Sequence, residues 1–325
     1  MAKMNGIAVA GTVIVDRINE ISAYPASGEL TQILSLQKAI GGCVPNVAMD
    51  LKKISPALPV RVFGRVGSDA DGAYVRQTLG DAGLDTTGLL TDENAPTSFT
   101  EVMSVTGGQR TFFTYSGASA VFGKDDMNFG EELPAILHLG YFLLLQKVDD
   151  GDGLEILKAA RAQGIRTSID LVSENSDRYT LVKPCLPYTD YLIVNELEAG
   201  MLTGIEPTNA NLQKIAEKLK EMGVREKVII HKPDCGVCLS DAGLTSLPSY
   251  ALPAGYIKGT TGAGDAFCAG ALYGIYQNWS DKEILEFASA TAVMALGSAD
   301  ATSGLVTEEE IKAFCSQLPR QNVTL

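Results

Sequence analysis

The sequence has no apolar run long enough to span a bilayer, no internal repeat, no low-complexity linker and no excess of basic charge. Acidic residues outnumber basic ones, 39 to 26, for a formal charge of −13. That balance disfavours a nucleic-acid backbone or an anionic membrane as the main partner. An anionic ligand would need a locally positive pocket, which backbone amides can build. The N-terminal MAKMNGIAVAGTVIVD has one lysine and a short apolar stretch that runs into fold-like sequence, unlike a secretory signal. Six scattered cysteines (Cys43, Cys185, Cys235, Cys238, Cys268, Cys315) suit a reducing compartment. The expectation is a soluble, cytoplasmic protein. With 46% hydrophobic and 20% charged residues, the 325-residue chain can bury a full core.

What is there is an alternation. Residues 6–16 and 60–67 read as buried strands, and residues 45–54 and 71–82 as helices, the first with a proline in its opening turn. From about residue 136 the rhythm becomes regular: a strand at ILHLG, a helix over 152–163, strands at 165–172 and 190–195, a helix over 211–222 and a strand at 227–231. This pattern predicts a mostly parallel sheet with helices on both faces. Two stretches, roughly 17–40 and 96–118, break the rhythm. They carry short alternating segments (TQILSL, SFTEVMSV, RTFFTYS), with TGGQ as a hairpin turn. They predict a small β-sheet lid on a single domain spanning residues 1–325.

The densest cluster of special residues is KGTTGAGDAFCAG (258–270). Gly259, Gly262 and Gly264 allow main-chain N–H groups to converge on one point, and a helix over 266–276 adds its own unpaired amides. An anion, or charge developing on a phosphoryl group, fits there. Asp265 beside those amides is placed to take a proton from an attacking hydroxyl. The plainer alternative is a helix cap over a tight turn. The stretch lacks the lysine of a Walker A loop, and Phe267 stands where a dinucleotide fingerprint keeps its third glycine.

GTTGAGDAFCAG resembles the C-terminal signature of the ribokinase-like (phosphofructokinase-B-type) carbohydrate kinases, DTxGAGDxFxxG. GGCVPNVAMDLKKI (41–54), GRVGSDADG (64–72) and NELEAGMLTG (195–204) resemble that family's other motifs in the same order. The resemblance implies a three-layer α/β core with a β-lid and ATP-dependent phosphorylation of an alcohol. It implies Asp265 as general base, with the Gly262, Ala263 and Gly264 amides as anion hole. It places Asp16, Gly41, Gly42 and Asn46 at the sugar, and Asn195, Glu198, Gly236 and Thr260 at the nucleotide. Glu198 would hold Mg²⁺ through water. The substrate would be a sugar, or a nucleoside as in some members, and the lid could join two copies in a homodimer.

Three departures stand out. Gly259 replaces the family's leading aspartate, which puts a monovalent-cation site in doubt; Lys258 beside it reads as a solvated lysine or as a substitute charge. HKPDCG (231–236) replaces the TLGxxG turn, so nucleotide contacts there differ. The lid is aromatic at RTFFTYSGAS, where Phe112 and Phe113 are expected to pack and Arg110 to reach substrate. Arg17 and Arg110 are too few for a phosphorylated substrate, so an unphosphorylated one is expected. Gly259 and HKPDCG keep open a sugar sensor without turnover. The remaining candidates read blandly: Cys235–Cys238 as a turn entering a strand, His138 as a satisfied core histidine and TEEEIKAF (307–314) as a capped helix start.

Overall fold

The computed structural model describes residues 4–105, 110–174 and 176–323, apart from the Arg110 side chain. The expected TGGQ turn at 106–109 lies outside the described residues.

Nine strands form the larger sheet. Six parallel pairings join β11 (Lys227–His231), β10 (Tyr191–Asn195), β9 (Arg166–Leu171), β8 (Ile136–Phe142), β1 (Ile7–Ala10), β4 (Val60–Gly67) and β5 (Asp85–Asp92), in that spatial order. An antiparallel pair, β12 (Cys235–Ser240) and β13 (Gly243–Pro248), extends the β11 edge. Alternating side chains feed two cores: Ile7 and Val9 face one, Ala8 and Ala10 the other. The first core takes α1 (Cys43–Ile54), α2 (Ala70–Asp81), α6 (Ala263–Tyr276), α7 (Asp281–Leu296) and α8 (Glu308–Cys315). The second takes α3 (Gly153–Ala162), α4 (Glu196–Thr203) and α5 (Leu212–Glu221). The result is the expected helix–sheet–helix layering.

A separate four-stranded sheet has the order β3 (Ile33–Gly41), β2 (Ile14–Ile21), β6 (Phe99–Val105), β7 (Arg110–Tyr115). The stretch 6–16, expected as one strand, is two. Gly11, at φ +143° and so close to the Gly140 carbonyl that no Cβ would fit, follows the last residue of β1, and the chain crosses to the smaller sheet as β2. Asp16 therefore belongs to the smaller sheet. Two other expectations shift. The last helix of the glycine loop starts at Ala263, three residues early, so Asp265 sits in its first turn. Cys235 and Cys238 both lie within β12, buried and unpaired, and not in a turn. Among the described residues no helix is long and apolar enough to cross a membrane.

Candidate active site

The carboxyl ends of the parallel strands and the N-termini of α1, α4 and α6 converge on one region. Gly262, at φ +79°, turns the chain into α6; a Cβ there would come within 2.6 Å of Ala301. Only glycine fits that turn into a fourteen-residue helix, whose first-turn amides lack the partners of the helix interior, although that of Ala263 bonds the Thr260 carbonyl at 3.4 Å. Asp265 stands among them, 6% exposed. Its Oδ2 accepts from Asn46 Nδ2 at 2.8 Å and from the Tyr141 hydroxyl at 2.9 Å. Burial, then the negative charge of Asp170, push the Asp265 carboxyl up to about 7, against the two hydrogen bonds. A carboxyl balanced near neutrality is suited to exchanging a proton at working pH.

Tyr141 was not legible as a site residue. It follows Gly140 at the end of β8 in a left-handed backbone, φ +60°, that non-glycine residues seldom adopt. Its N–H donates to Asp170 Oδ1 at 2.6 Å while its hydroxyl donates to Asp265, so it bridges the two carboxylates. Asp170, at the end of β9, also escaped notice. An aromatic and an acid at the carboxyl ends of neighbouring strands were the available signal.

Two adjoining cavities open here. One, of about 380 Å³, is walled by Asp265, Gly262, Gly264, Asp170, Asn195 and Glu198 among others. The second, of about 650 Å³ and more apolar, shares Asn195, His231 and Gly264 with it and continues past Thr260, Ala263 and Phe267 toward Leu252 and Val293. His231 stacks on Phe267 at 4.6 Å, and burial lowers its pKa to about 4, leaving it neutral. Gly236 lines neither cavity: it is paired within β12 between His231 and Leu247 and faces Leu285 of α7.

Asn195 and Glu198 meet as a reciprocal cap on α4. Asn195 Oδ1 accepts from the Glu198 amide at 2.9 Å, and Glu198 Oε2 from the Asn195 amide at 3.0 Å. Ser173 Oγ donates to Glu198 Oε1 and accepts from Asn195 Nδ2. Burial first, then Asp170 and Glu196, raise Glu198 to about 7. Two nearly buried carboxylates on one cavity wall, Glu198 and Asp170, form an all-oxygen set that suits a hydrated Mg²⁺, whose charge would offset their burial.

The monovalent cation fares differently. Gly259 offers no side chain, and a Cβ there would lie 2.9 Å from the Ser298 carbonyl oxygen and 3.1 Å from that of Ala299. The loop has closed over the place an aspartate would need. Lys258 is exposed.

The remaining predicted residues lie on the side of the smaller sheet. Gly42, at φ +90°, caps α1, and Gly41 leaves room for Asp16, whose Oδ2 would overlap any Cβ there. Asp16, pushed up to about 6 by burial, lines a third cavity of about 260 Å³ with Ile18, Lys38, Phe112 and Thr261. Asp16 and Asp265 thus wall different cavities. Asn46, in the first turn of α1, bonds Asp265 through Nδ2, while its Oδ1 is buried and has no partner among the described residues. Arg17 is committed to Asp71 at 2.6 Å and Glu101 at 3.0 Å, and Lys38 to Asp71 at 2.5 Å. Phe112 and Phe113 are 61% and 59% exposed and do not pack as expected. The side chain of Arg110 is outside the described part.

A parallel α/β core, a second sheet beside it and a buried carboxylate at a glycine-turned helix N-terminus define a class, the ribokinase-fold phosphotransferases. The model of the pfkB family of carbohydrate kinases matches residues 4–308, and the chain belongs to that family. It is 27% identical to a ribokinase of Arabidopsis thaliana over 294 residues, covering 89% of this chain and 76% of that one. It is 23% identical to a 5-dehydro-2-deoxygluconokinase of Geobacillus thermodenitrificans, covering 93% of each. The structure of Arabidopsis thaliana ribokinase complexed with ribose and ATP superposes with a TM-score of 0.82 at 22% identity, over 96% of this chain and 99% of that one. A Methanocaldococcus jannaschii nucleoside kinase of the ribokinase family gives 0.79 at 18%, over 98% and 100%. The chain is a carbohydrate kinase, with the fold of the solved ribokinases.

Proposed function

We propose that this kinase transfers the γ-phosphoryl group of Mg²⁺-bound ATP to a hydroxyl of an unphosphorylated sugar, with Asp265 as general base. The observation that carries the reading is the position of Asp265: a carboxyl balanced near pH 7 in the first turn of α6, beside the amides of the helix start and on the wall of a cavity that adjoins a larger apolar one. The sugar hydroxyl gives its proton to Asp265 as it attacks. Charge gathering on the transferred group is met by the amides of Gly262, Ala263 and Gly264. Glu198 and Asp170 would hold the hydrated Mg²⁺, which supplies charge neutralisation at the phosphates. The larger cavity, with Thr260 and Phe267, suits the nucleotide. Asn46, with one amide end on Asp265 and its oxygen unpartnered, is suited to accept from a substrate hydroxyl. The smaller sheet serves as the lid that keeps water from the phosphoryl group.

The engagement of Arg17 and Lys38 with Asp71 and Glu101 supports an unphosphorylated substrate, since neither cation is free for a second phosphate. The relatives' names point to a pentose such as ribose or to a keto-sugar acid such as 5-dehydro-2-deoxygluconate. A second reading, a nucleoside acceptor, is favoured by one feature: Phe112 is exposed and lines the cavity of Asp16, where a base could stack. ADP release in the presence of Mg²⁺ and ATP, measured across pentoses, hexoses, sugar acids and nucleosides, separates the two. Turnover with a sugar and none with nucleosides is the expected outcome.

The lid also carries exposed apolar residues, Ile33, Leu34 and Leu36 on the edge strand β3 and Phe113 on β7. Such an edge in a soluble chain is suited to covering by a second copy, so the working form is proposed to be a homodimer joined through the lid.

A further inference from the structure

Behind Asp265 lies a second cluster in which Asp170, also on the wall proposed for Mg²⁺, meets Cys43 and His138, two side chains that the proposed phosphoryl transfer does not use. Cys43 opens α1, His138 sits in the middle of β8, and Asp170 ends β9; all three are buried. A sulfur, a ring nitrogen and a carboxylate oxygen from these three lie within 4.8 Å of one another. We propose that Cys43, His138 and Asp170 form a binding site for a divalent metal ion of borderline softness, Zn²⁺ being the best match.

The donor set argues for the class of ion. Thiolate and imidazole disfavour Mg²⁺ and Ca²⁺, which take oxygen ligands, and one S, one N and one O donor suit Zn²⁺ with a fourth position left over. The geometry is close to what such an ion needs. His138 Nε2 and Asp170 Oδ2 are 3.5 Å apart, and neighbouring ligands of a tetrahedral Zn²⁺ are separated by about 3.3–3.8 Å. Cys43 Sγ, within 4.8 Å of both, reaches a ligand separation of about 3.5 Å with an approach of about 1.3 Å at most. His138 is already oriented: Ser168 Oγ lies 3.1 Å from Nδ1, so with the Nδ1 proton donated to that hydroxyl the Nε2 lone pair faces the cluster. The space is also made for it. A Cβ on Gly140 would overlap Cys43 Sγ and come within 3.0 Å of Asp170 Oδ1, so the glycine holds open the place where these two side chains meet.

The ion has a route in. Asp170 and Cys268 both line the cavity of Asp265, and Cys268 Sγ lies 3.5 Å from His138 Nε2, bordering the open fourth side. On binding, the Cys43 thiol releases its proton to solvent and the sulfur bonds the metal. No electron transfer is involved. The site would tie the start of α1, which carries Asn46, to β8 and β9 just behind the base.

Cobalt(II) substitution tests this without reference to turnover. The reduced full-length protein is titrated with Co²⁺, then with Zn²⁺, and followed by absorption. The expected result is one equivalent bound with a thiolate-to-cobalt charge-transfer band and visible bands of a four-coordinate ion, displaced by Zn²⁺. Cys43→Ala should abolish the charge-transfer band and weaken binding by about a hundredfold or more, and Ser168→Ala should keep the band but weaken binding by about 10–100-fold. Cys43→Ser, nearly isosteric, guards against a folding defect and should lose the band likewise. Cys238→Ala, in β12, should leave both unchanged. Absence of stoichiometric binding, or a charge-transfer band that survives in both Cys43 variants, would overturn the assignment.

Discussion

The central acid–base contact is between one carboxyl and two donors. Asp265 is raised to about 7 by burial and by Asp170, and the hydrogen bonds from Asn46 and Tyr141 pull the other way by favouring the charged form. A base must be ionised to accept a proton, so turnover should rise with pH through about 7 and level above it. Tyr141→Phe removes one of the opposing bonds, and the midpoint of the pH–turnover curve should move upward, with lower turnover at pH 7. An unmoved midpoint would mean that Asp265 is not the group being read. Asp265 and Asn46 were legible from motif and chemistry alone. Tyr141 and Asp170 were not, because their importance comes from adjacency across β8 and β9, 29 residues apart in the chain, and from a left-handed backbone that no composition reveals.

At the scale of elements, the proposed reaction centre is a product of helix starts. α1 and α6 pack side by side, and the Asn46–Asp265 hydrogen bond spans 219 residues of sequence to join their first turns. The turn at Gly262 sets where α6 begins. Gly262→Ala would force a side chain into a left-handed turn against Ala301, at about 1–3 kcal/mol of backbone strain before any clash is relieved. A lower midpoint in thermal unfolding, together with a fall in turnover larger than any rise in KM for the sugar, is the expected outcome. Periodicity placed most strands and helices within a few residues. It failed at Gly11, where a buried β-branched run continues across a break between sheets, because apolar alternation does not say which sheet a residue joins. It failed again at Ala263, because a glycine-rich stretch reads as loop even where its last residues are already helical. It gave no warning about Gly236 either, which matched a motif position but is held within an antiparallel pair.

At the scale of the whole molecule, the larger sheet with its two helical layers is a scaffold, and the smaller sheet is the part proposed to close over the site and to pair. The layering was readable from strand–helix alternation, and the second sheet from the two stretches that interrupted it. What the lid does with its apolar edge could not be read, since exposure is a property of the folded surface. Static light scattering should find a dimer, and Leu34→Lys with Leu36→Lys should convert it to monomer while leaving the far-ultraviolet circular dichroism unchanged; a monomeric wild-type protein would remove the proposed pairing. Transfer, as proposed, depends on Asp265 taking the proton from the sugar. Its most direct test is turnover of Asp265→Asn beside wild type with Mg²⁺, ATP and the best sugar of the panel, with sugar affinity measured in parallel by calorimetry. Without its base the enzyme should lose kcat by a factor of about a hundred or more and retain its sugar affinity. An Asn variant that turned over at the wild-type rate would contradict it.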